Sequence, residues 1–186
     1  MIDFALFESL LKCDTVEQLH AQTTLITQQM GFQHFIYGAE LNNALTPPYK
    51  FILSGYPEEW WKHYCVVDYQ QIDPVVRHSM QRVTPLTWTD LKDLRPDAQR
   101  LMDEAKDFNL VNGATFPLHG MGGGFGLFSV AVDRDTKQTR KDIVHHLSQA
   151  QLLANYLHES VYRIVLGKDI HTIERVYFKK LNLITP

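Results

Sequence analysis

Cysteine is scarce. Cys13 and Cys65 are the two in 186 residues, too few to staple a small secreted fold and in keeping with a reducing compartment. No apolar run nears the roughly 20 residues that span a bilayer. The N-terminus lacks the basic-then-apolar profile of a secretory signal. Neither sign of charge dominates: 18 Lys and Arg against 21 Asp and Glu leave −3, so the whole chain has no basic field to draw nucleic acid or anionic lipid. Repeats and low-complexity tracts are absent. These lacks set aside a disulfide scaffold, a membrane span and a solenoid. The expectation is one soluble, cytoplasmic domain, with 45% hydrophobic and 21% charged residues as in ordinary globular proteins.

Catalytic signatures are equally thin. The glycine run from Gly120 to Gly126 has no Lys-Ser/Thr after it and leads into a strand, so it reads as a hairpin loop rather than a phosphate cradle. Cys65 lies near His63, but successive helical residues turn by about 100° and no third group orients the pair. A packed small side chain is the simpler reading. His145 and His146 are adjacent, whereas facing metal ligands on a helix sit three or four apart. No Ser-His-Asp pattern and no carboxylate pair stand out, so neither an enzyme nor a metal site is expected.

What is present is regular patterning. Residues 2–12 carry Ile2, Leu6, Phe7, Leu10 and Leu11 at helical spacing. Asp14 and Glu17 form a capping-box pattern opening a second helix, whose inner stripe is Val16, Leu19, Thr23, Ile26 and Met30 and whose end is Gly31. "HFIYGAEL" and "YKFILSG" read as strands around the loop "LNNALTPP". Pro57 opens a short helix, and Asp73-Pro74 begins another with Asp at the cap and Pro at the first helical position. "PLTW" is a short strand, and Pro96 starts a helix to about Phe108. Two further strands, "GATFPLHG" and "GFGLFSVAVD", flank "GMGGG". A long helix from about Lys141 to Leu166 repeats Ile143, Leu147, Ala150, Ala154, Leu157, Val161 and Ile164, and Gly167 closes it. That stripe suits packing on a sheet, with a homodimer seam as a further use. Helices at both ends and five strands between predict an α+β fold, an α-β-α sandwich around a central five-stranded antiparallel sheet.

Aromatic side chains concentrate in "YPEEWWKHYCVVDYQQIDPVV", where Tyr56, Trp60 and Tyr64 recur every four residues. Each offers an apolar plate with one hydrogen-bonding atom, and Asp73 adds an acceptor. Asp73 is by itself an ordinary helix cap. Beside these rings it also equips a site for a small amphiphilic ligand with a polar head and an apolar tail.

The blocks "GYPEEWWKHY", "DYQQIDPVVRHS", "TPLTW", "NGATFPLHG" and "GLFSVAV" run through residues 4–165 in an order and spacing that resemble the autoinducer-binding domain of LuxR-type quorum-sensing regulators. That resemblance implies an N-acyl-homoserine lactone held between the sheet and one helical layer, with no other cofactor. It implies that Trp60 donates to the lactone carbonyl, Asp73 accepts the ligand amide N–H, and Tyr56 and Ser129 bond the acyl carbonyl. Trp88 would wall the lactone ring. Tyr64, Ile36, Ile52, Val76, Leu110, Thr115 and Leu127 would line the acyl channel, with Gly113 as a structural glycine at a strand start.

Two positions depart from the family pattern. Trp61 stands where relatives often carry a basic residue, and Val75 where some place a hydroxyl. Both changes weaken the case for a 3-oxo acyl group. Family members usually append a helix-turn-helix DNA-binding domain, and "LNLITP" resembles the linker before it. The resemblance therefore implies a receptor domain over 1–166 and a linker over 167–186, DNA contact only through that further domain, and a homodimer. Two alternatives share the pocket: a stand-alone lactone-binding antagonist, and a lactone-processing enzyme, for which no nucleophile is evident.

Overall fold

The first apolar stretch does not form one helix. In the computed structural model, which describes residues 3–43, 46–120 and 124–166, α1 (Phe4–Glu8) gives way to a 3-10 turn over Ser9–Lys12. Phe7 and Leu10 are the residues it buries. The cap of α2 (Val16–Gln29) falls one residue later than Asp14 and Glu17 predict. Thr15 accepts from the Gln18 backbone, and the Gln18 side chain accepts from the Asp14 backbone. A hydroxyl and an amide thus do the work the sequence pattern assigns to two carboxylates. Leu19, Thr23, Ile26 and Met30 are buried as the stripe predicts. Gly31 follows with φ +86°, the left-handed conformation that glycine adopts without a Cβ penalty.

Strands β1 (His34–Asn43) and β2 (Thr46–Ser54) extend into the segment expected as a loop. After them come α3 (Glu58–Val67), a 3-10 turn at Tyr69–Gln71, α4 (Pro74–Gln81), β3 (Leu86–Thr87), α5 (Pro96–Asp107), β4 (Asn112–His119) and β5 (Phe125–Val132). The "PLTW" strand shrinks to two residues, because Trp88 already begins a 3-10 turn. The last helix, α6 (Lys137–Val165), starts a turn before the expected Lys141. Thr136 caps it in a reciprocal box with Thr139, and that polar first turn carries no apolar stripe to reveal it. Gly167 and the expected linker lie outside the described residues, as do residues 121–123 of the glycine loop.

The sheet has five strands in the order β2-β1-β5-β4-β3, every neighbouring pair antiparallel. Alternation along each strand divides the two faces. Phe35, Tyr37, Ala39 and Leu41 of β1 join Ala114, Phe116, Phe128 and Val130 in a core closed by α1, α2 and α6. The α6 stripe is spent there: Ile143, Ala150, Ala154, Leu157 and Val161 are all buried. The opposite face carries a second cluster around Trp60, Tyr69, Leu101 and Leu110 under α3 and α5. The α-β-α sandwich expected from the sequence is the one observed. Among the described residues no helix is long and apolar enough to cross a membrane.

At the edge of the first core His158 accepts or donates a 2.7 Å bond between Nδ1 and the Tyr37 hydroxyl, and its Nε2 is buried without a partner among the described residues. Burial, aided by nearby His119, holds its pKa down to about 4. The unfolded chain, with a histidine near 6.5, binds the proton more readily, so this group removes stability as pH falls from about 6.5 toward 4. Urea unfolding is expected to lose about 2 kcal/mol at this site between pH 7 and pH 5. His158→Gln should flatten that part of the pH dependence; an unchanged slope would show that the imidazole is not held neutral.

Candidate functional site

The second face of the sheet does not pack solidly against its helices. A cavity of about 440 Å³ lies between them, within the usual range for small-molecule sites. Its floor is set by strand register. Ile36 on β1 pairs with Ser129 on β5, and Ser129 with Thr115 on β4. One step along, Ile52, Gly38 and Leu127 form the next row. A Cβ at Gly38 would sit 3.0 Å from the Ile52 side chain, so glycine keeps this part of the floor open.

The roof comes from the aromatic stretch. Spacing of four places Trp60 and Tyr64 on one side of α3, with Tyr56 ahead of its first turn. Trp60 is 3% exposed and ringed by Phe108 at 5.4 Å, His63 and Tyr64 at 6.0 Å and Tyr69 at 6.1 Å. Its indole N–H makes no hydrogen bond among the described residues. Trp61 stacks on Tyr64, with centroids 5.6 Å apart and planes 12° from parallel.

Asp73 caps α4 as the sequence predicts, and it also borders the cavity. One oxygen, Oδ1, accepts from the backbone N–H of Val75 at 2.7 Å and of Val76 at 3.4 Å, the cap of α4. The other, Oδ2, accepts from the Tyr64 hydroxyl at 2.9 Å and, as a carboxylate oxygen, retains further acceptor capacity. Burial raises the Asp73 pKa, and the bonds from Val75 and Tyr64 pull the other way. The Tyr56 and Tyr64 hydroxyls are pushed well up by burial and then by the Asp73 charge, so both remain O–H donors. Ser129 offsets part of that rise at Tyr56.

On the β4 side the Trp88 indole donates to Thr115 Oγ1 at 3.0 Å, and Thr115 Oγ1 lies 2.8 Å from Ser129 Oγ. Gly113 makes this possible, since a Cβ there would collide with the Val130 carbonyl oxygen and meet the Trp88 ring.

Tyr56, Trp60, Tyr64, Asp73, Trp88, Ser129, Ile36, Ile52, Val76, Leu110 and Leu127 all border the one cavity. Thr115, expected in the channel wall, does not: it is fully buried behind the wall and engaged by Trp88 and Ser129. Sequence reading missed the α5 contribution of Leu101, Met102 and Ala105, although Leu101 and Ala105 stand a helical turn apart. It also missed Glu40, Lys50 and Phe125 at the end of the cavity away from Ser129. Cys65 borders the cavity but His63 does not serve it, since His63 Nε2 lies 2.6 Å from Glu104 Oε2. Among the described residues no group of His, Cys, Asp and Glu is disposed to hold a metal. The arrangement can enclose an apolar chain and hydrogen-bond a compact polar head.

Comparison with known proteins agrees with that geometry. The family model described as the autoinducer binding domain matches residues 15–161. The transcriptional activator VanR of Vibrio anguillarum is 31% identical over 108 residues, 58% of this chain and 45% of VanR. The transcriptional activator LuxR of Aliivibrio fischeri is 22% identical over 161 residues, 86% of this chain and 64% of LuxR. The chain thus spans about half to two thirds of the length of these relatives. Among solved structures, the N-acylhomoserine lactone dependent LuxR family transcription factor CepR2 of Burkholderia cenocepacia shares the fold with TM-score 0.72 at 18% identity, covering 87% of this chain and 94% of that one. SdiA in complex with octanoyl-rac-glycerol gives 0.69 at 22% identity, covering 90% and 70%. With the family match running through most of its length, the chain belongs to the autoinducer binding domain family, the ligand-binding module of LuxR-type transcriptional regulators.

Proposed function

We propose that this chain is the receptor unit of a quorum-sensing regulator and that its cavity takes an N-acyl-homoserine lactone. The observation that carries the reading is an unengaged donor, the Trp60 indole N–H, in the same apolar cavity as a carboxylate acceptor, Asp73. An amide-lactone matches both. Its amide N–H reaches Asp73, its lactone carbonyl takes the Trp60 N–H, and the hydroxyls of Tyr56 and Ser129 serve the acyl carbonyl. Trp88 walls the ring. Ile36, Ile52, Val76, Leu110, Leu127 and the face of Tyr64 border the acyl chain, while Thr115 holds Trp88 and Ser129 in place.

The energetics favour the same assignment. A buried carboxylate short of donors is costly, and a charge-assisted N–H bond offsets that cost. Hydrolysis of the lactone is not supported, because the group proposed at its carbonyl is an indole and not a nucleophile. In this reading residues 1–166 sense the ligand and 167–186 lead toward a helix-turn-helix DNA-binding domain. The relatives' designation as transcriptional activators supports that output. The regulator acts as a cytoplasmic homodimer.

Asp73→Asn is expected to weaken lactone binding by about 2 kcal/mol, roughly thirtyfold, since bonds to charged groups are worth 1.5–3. Asn caps helices well, so the empty fold should not lose stability. Isothermal titration and thermal unfolding of the same variant separate the two roles. Normal binding with early unfolding would leave Asp73 as a cap alone.

The acyl chain carries a second expectation. Val75 is 7% exposed and borders the cavity, and Trp61 borders it stacked flat on Tyr64. A 3-keto oxygen beside them would give up water without a partner, at about 1–3 kcal/mol. Unsubstituted lactones should therefore match or beat their 3-oxo counterparts of equal length in competition binding. A tenfold preference for the 3-oxo member, about 1.4 kcal/mol, would reveal a polar partner at that carbon.

A further inference from the structure

Nothing hydrogen-bonds the Trp60 indole within the described protein, so its aim depends on the rings packed around it. Four rings lie within 6.1 Å: Phe108, His63, Tyr64 and Tyr69. Tyr64 is tied to Asp73. Two of the other three end on a single atom. Glu104 Oε2 on α5 accepts the Tyr69 hydroxyl at 2.6 Å and lies 2.6 Å from His63 Nε2. The Arg100 guanidinium stands 3.7 Å from its second oxygen. This one carboxylate therefore joins α3, the 3-10 turn after it and α5.

We propose that Glu104 is a positioning residue for the lactone site: by holding Tyr69 and His63 against Trp60 it fixes the direction in which the indole N–H points. The proposal rests on the lactone reading above. Glu104 itself does not border the cavity, although Leu101 and Ala105 on the same helix do. It acts through the rings and touches no ligand. Aim matters because an N–H bond weakens steeply once its angle falls toward about 120°. The Tyr69 hydroxyl and then His63 hold the Glu104 carboxyl below its ordinary pKa, so the clamp keeps its charge at neutral pH. A mere surface ion pair would leave Trp60 indifferent to its loss.

The test uses the full 186-residue chain and its 3 tryptophans. Their indole N–H resonances are assigned in ¹H–¹⁵N spectra by single Trp→Phe changes. In the empty protein Glu104→Ala should shift or broaden the Trp60 resonance and leave that of Trp88, which is anchored on Thr115, in place. It should weaken binding of N-octanoyl-homoserine lactone about tenfold, and Glu104→Gln, which keeps a carbonyl acceptor for Tyr69, should restore most of that. Tyr69→Phe keeps the ring, removes one of the two bonds and should produce a smaller change of the same kind, which serves if the alanine variant fails to fold. A Trp60 resonance identical to wild type in these variants overturns the proposal, as does lowered stability with unchanged lactone affinity. Should the wild-type chain bind no lactone, the ligand reading fails on its own, and the Trp60 resonance of the empty protein still decides the clamp.

Discussion

The Asp73 carboxylate is the constraint on which the site turns. A charge placed against an apolar cavity must be met by donors, and the fold supplies three: the Val75 and Val76 backbone N–H groups through Oδ1 and the Tyr64 hydroxyl through Oδ2. Burial still wins, and the pKa of the group stays raised. A carboxylate left in that balance gains from one more donor, and the lactone amide is proposed as that donor. The cap and the binding role are therefore not rivals. The cap fixes the carboxylate at the start of α4, with one oxygen engaged by backbone and the other by Tyr64, at a residue that borders the cavity.

The sheet separates two jobs that would otherwise conflict. Large side chains of β1, β4 and β5 on one face interlock with α1, α2 and α6. The other face sets the small or polar Gly38, Gly113, Thr115 and Ser129 among Ile36, Ile52 and Leu127. Gly38 keeps the floor open and Gly113 lets Trp88 approach β4. The Trp88–Thr115–Ser129 chain then satisfies the hydroxyls of Thr115 and Ser129, two residues almost wholly out of water. Stability is drawn from the first face, and the cavity is tolerated on the second.

Much of this was legible in the sequence where one local rule decides. Asp73-Pro74 announces a capped helix, Gly31 a helix end, and the four-residue recurrence of aromatics a shared roof. Where two rules competed, the pattern misled. Asp14 and Glu17 looked like a box, but the hydroxyl of Thr15 lay nearer the first turn. The apolar spacing of residues 2–12 is met as well by a short helix with a 3-10 turn. Thr115 was expected in the channel from the family resemblance, and its strand position beside Ser129 does face that side of the sheet. Facing is not lining, and only the three-dimensional neighbours Trp88 and Ser129 show that its hydroxyl is already engaged. The α5 residues and the Glu104 contacts were out of reach, because they depend on how a helix packs across from α3.

Ligand-dependent unfolding tests the central claim most directly, that the cavity carries an acceptor which a lactone completes. Melting curves of the chain should be recorded alone and with short- and long-chain N-acyl-homoserine lactones at saturation. A ligand present at 100 times its dissociation constant should add about 2.7 kcal/mol of stability and raise the melting temperature accordingly. Superimposable curves with every lactone would contradict the account.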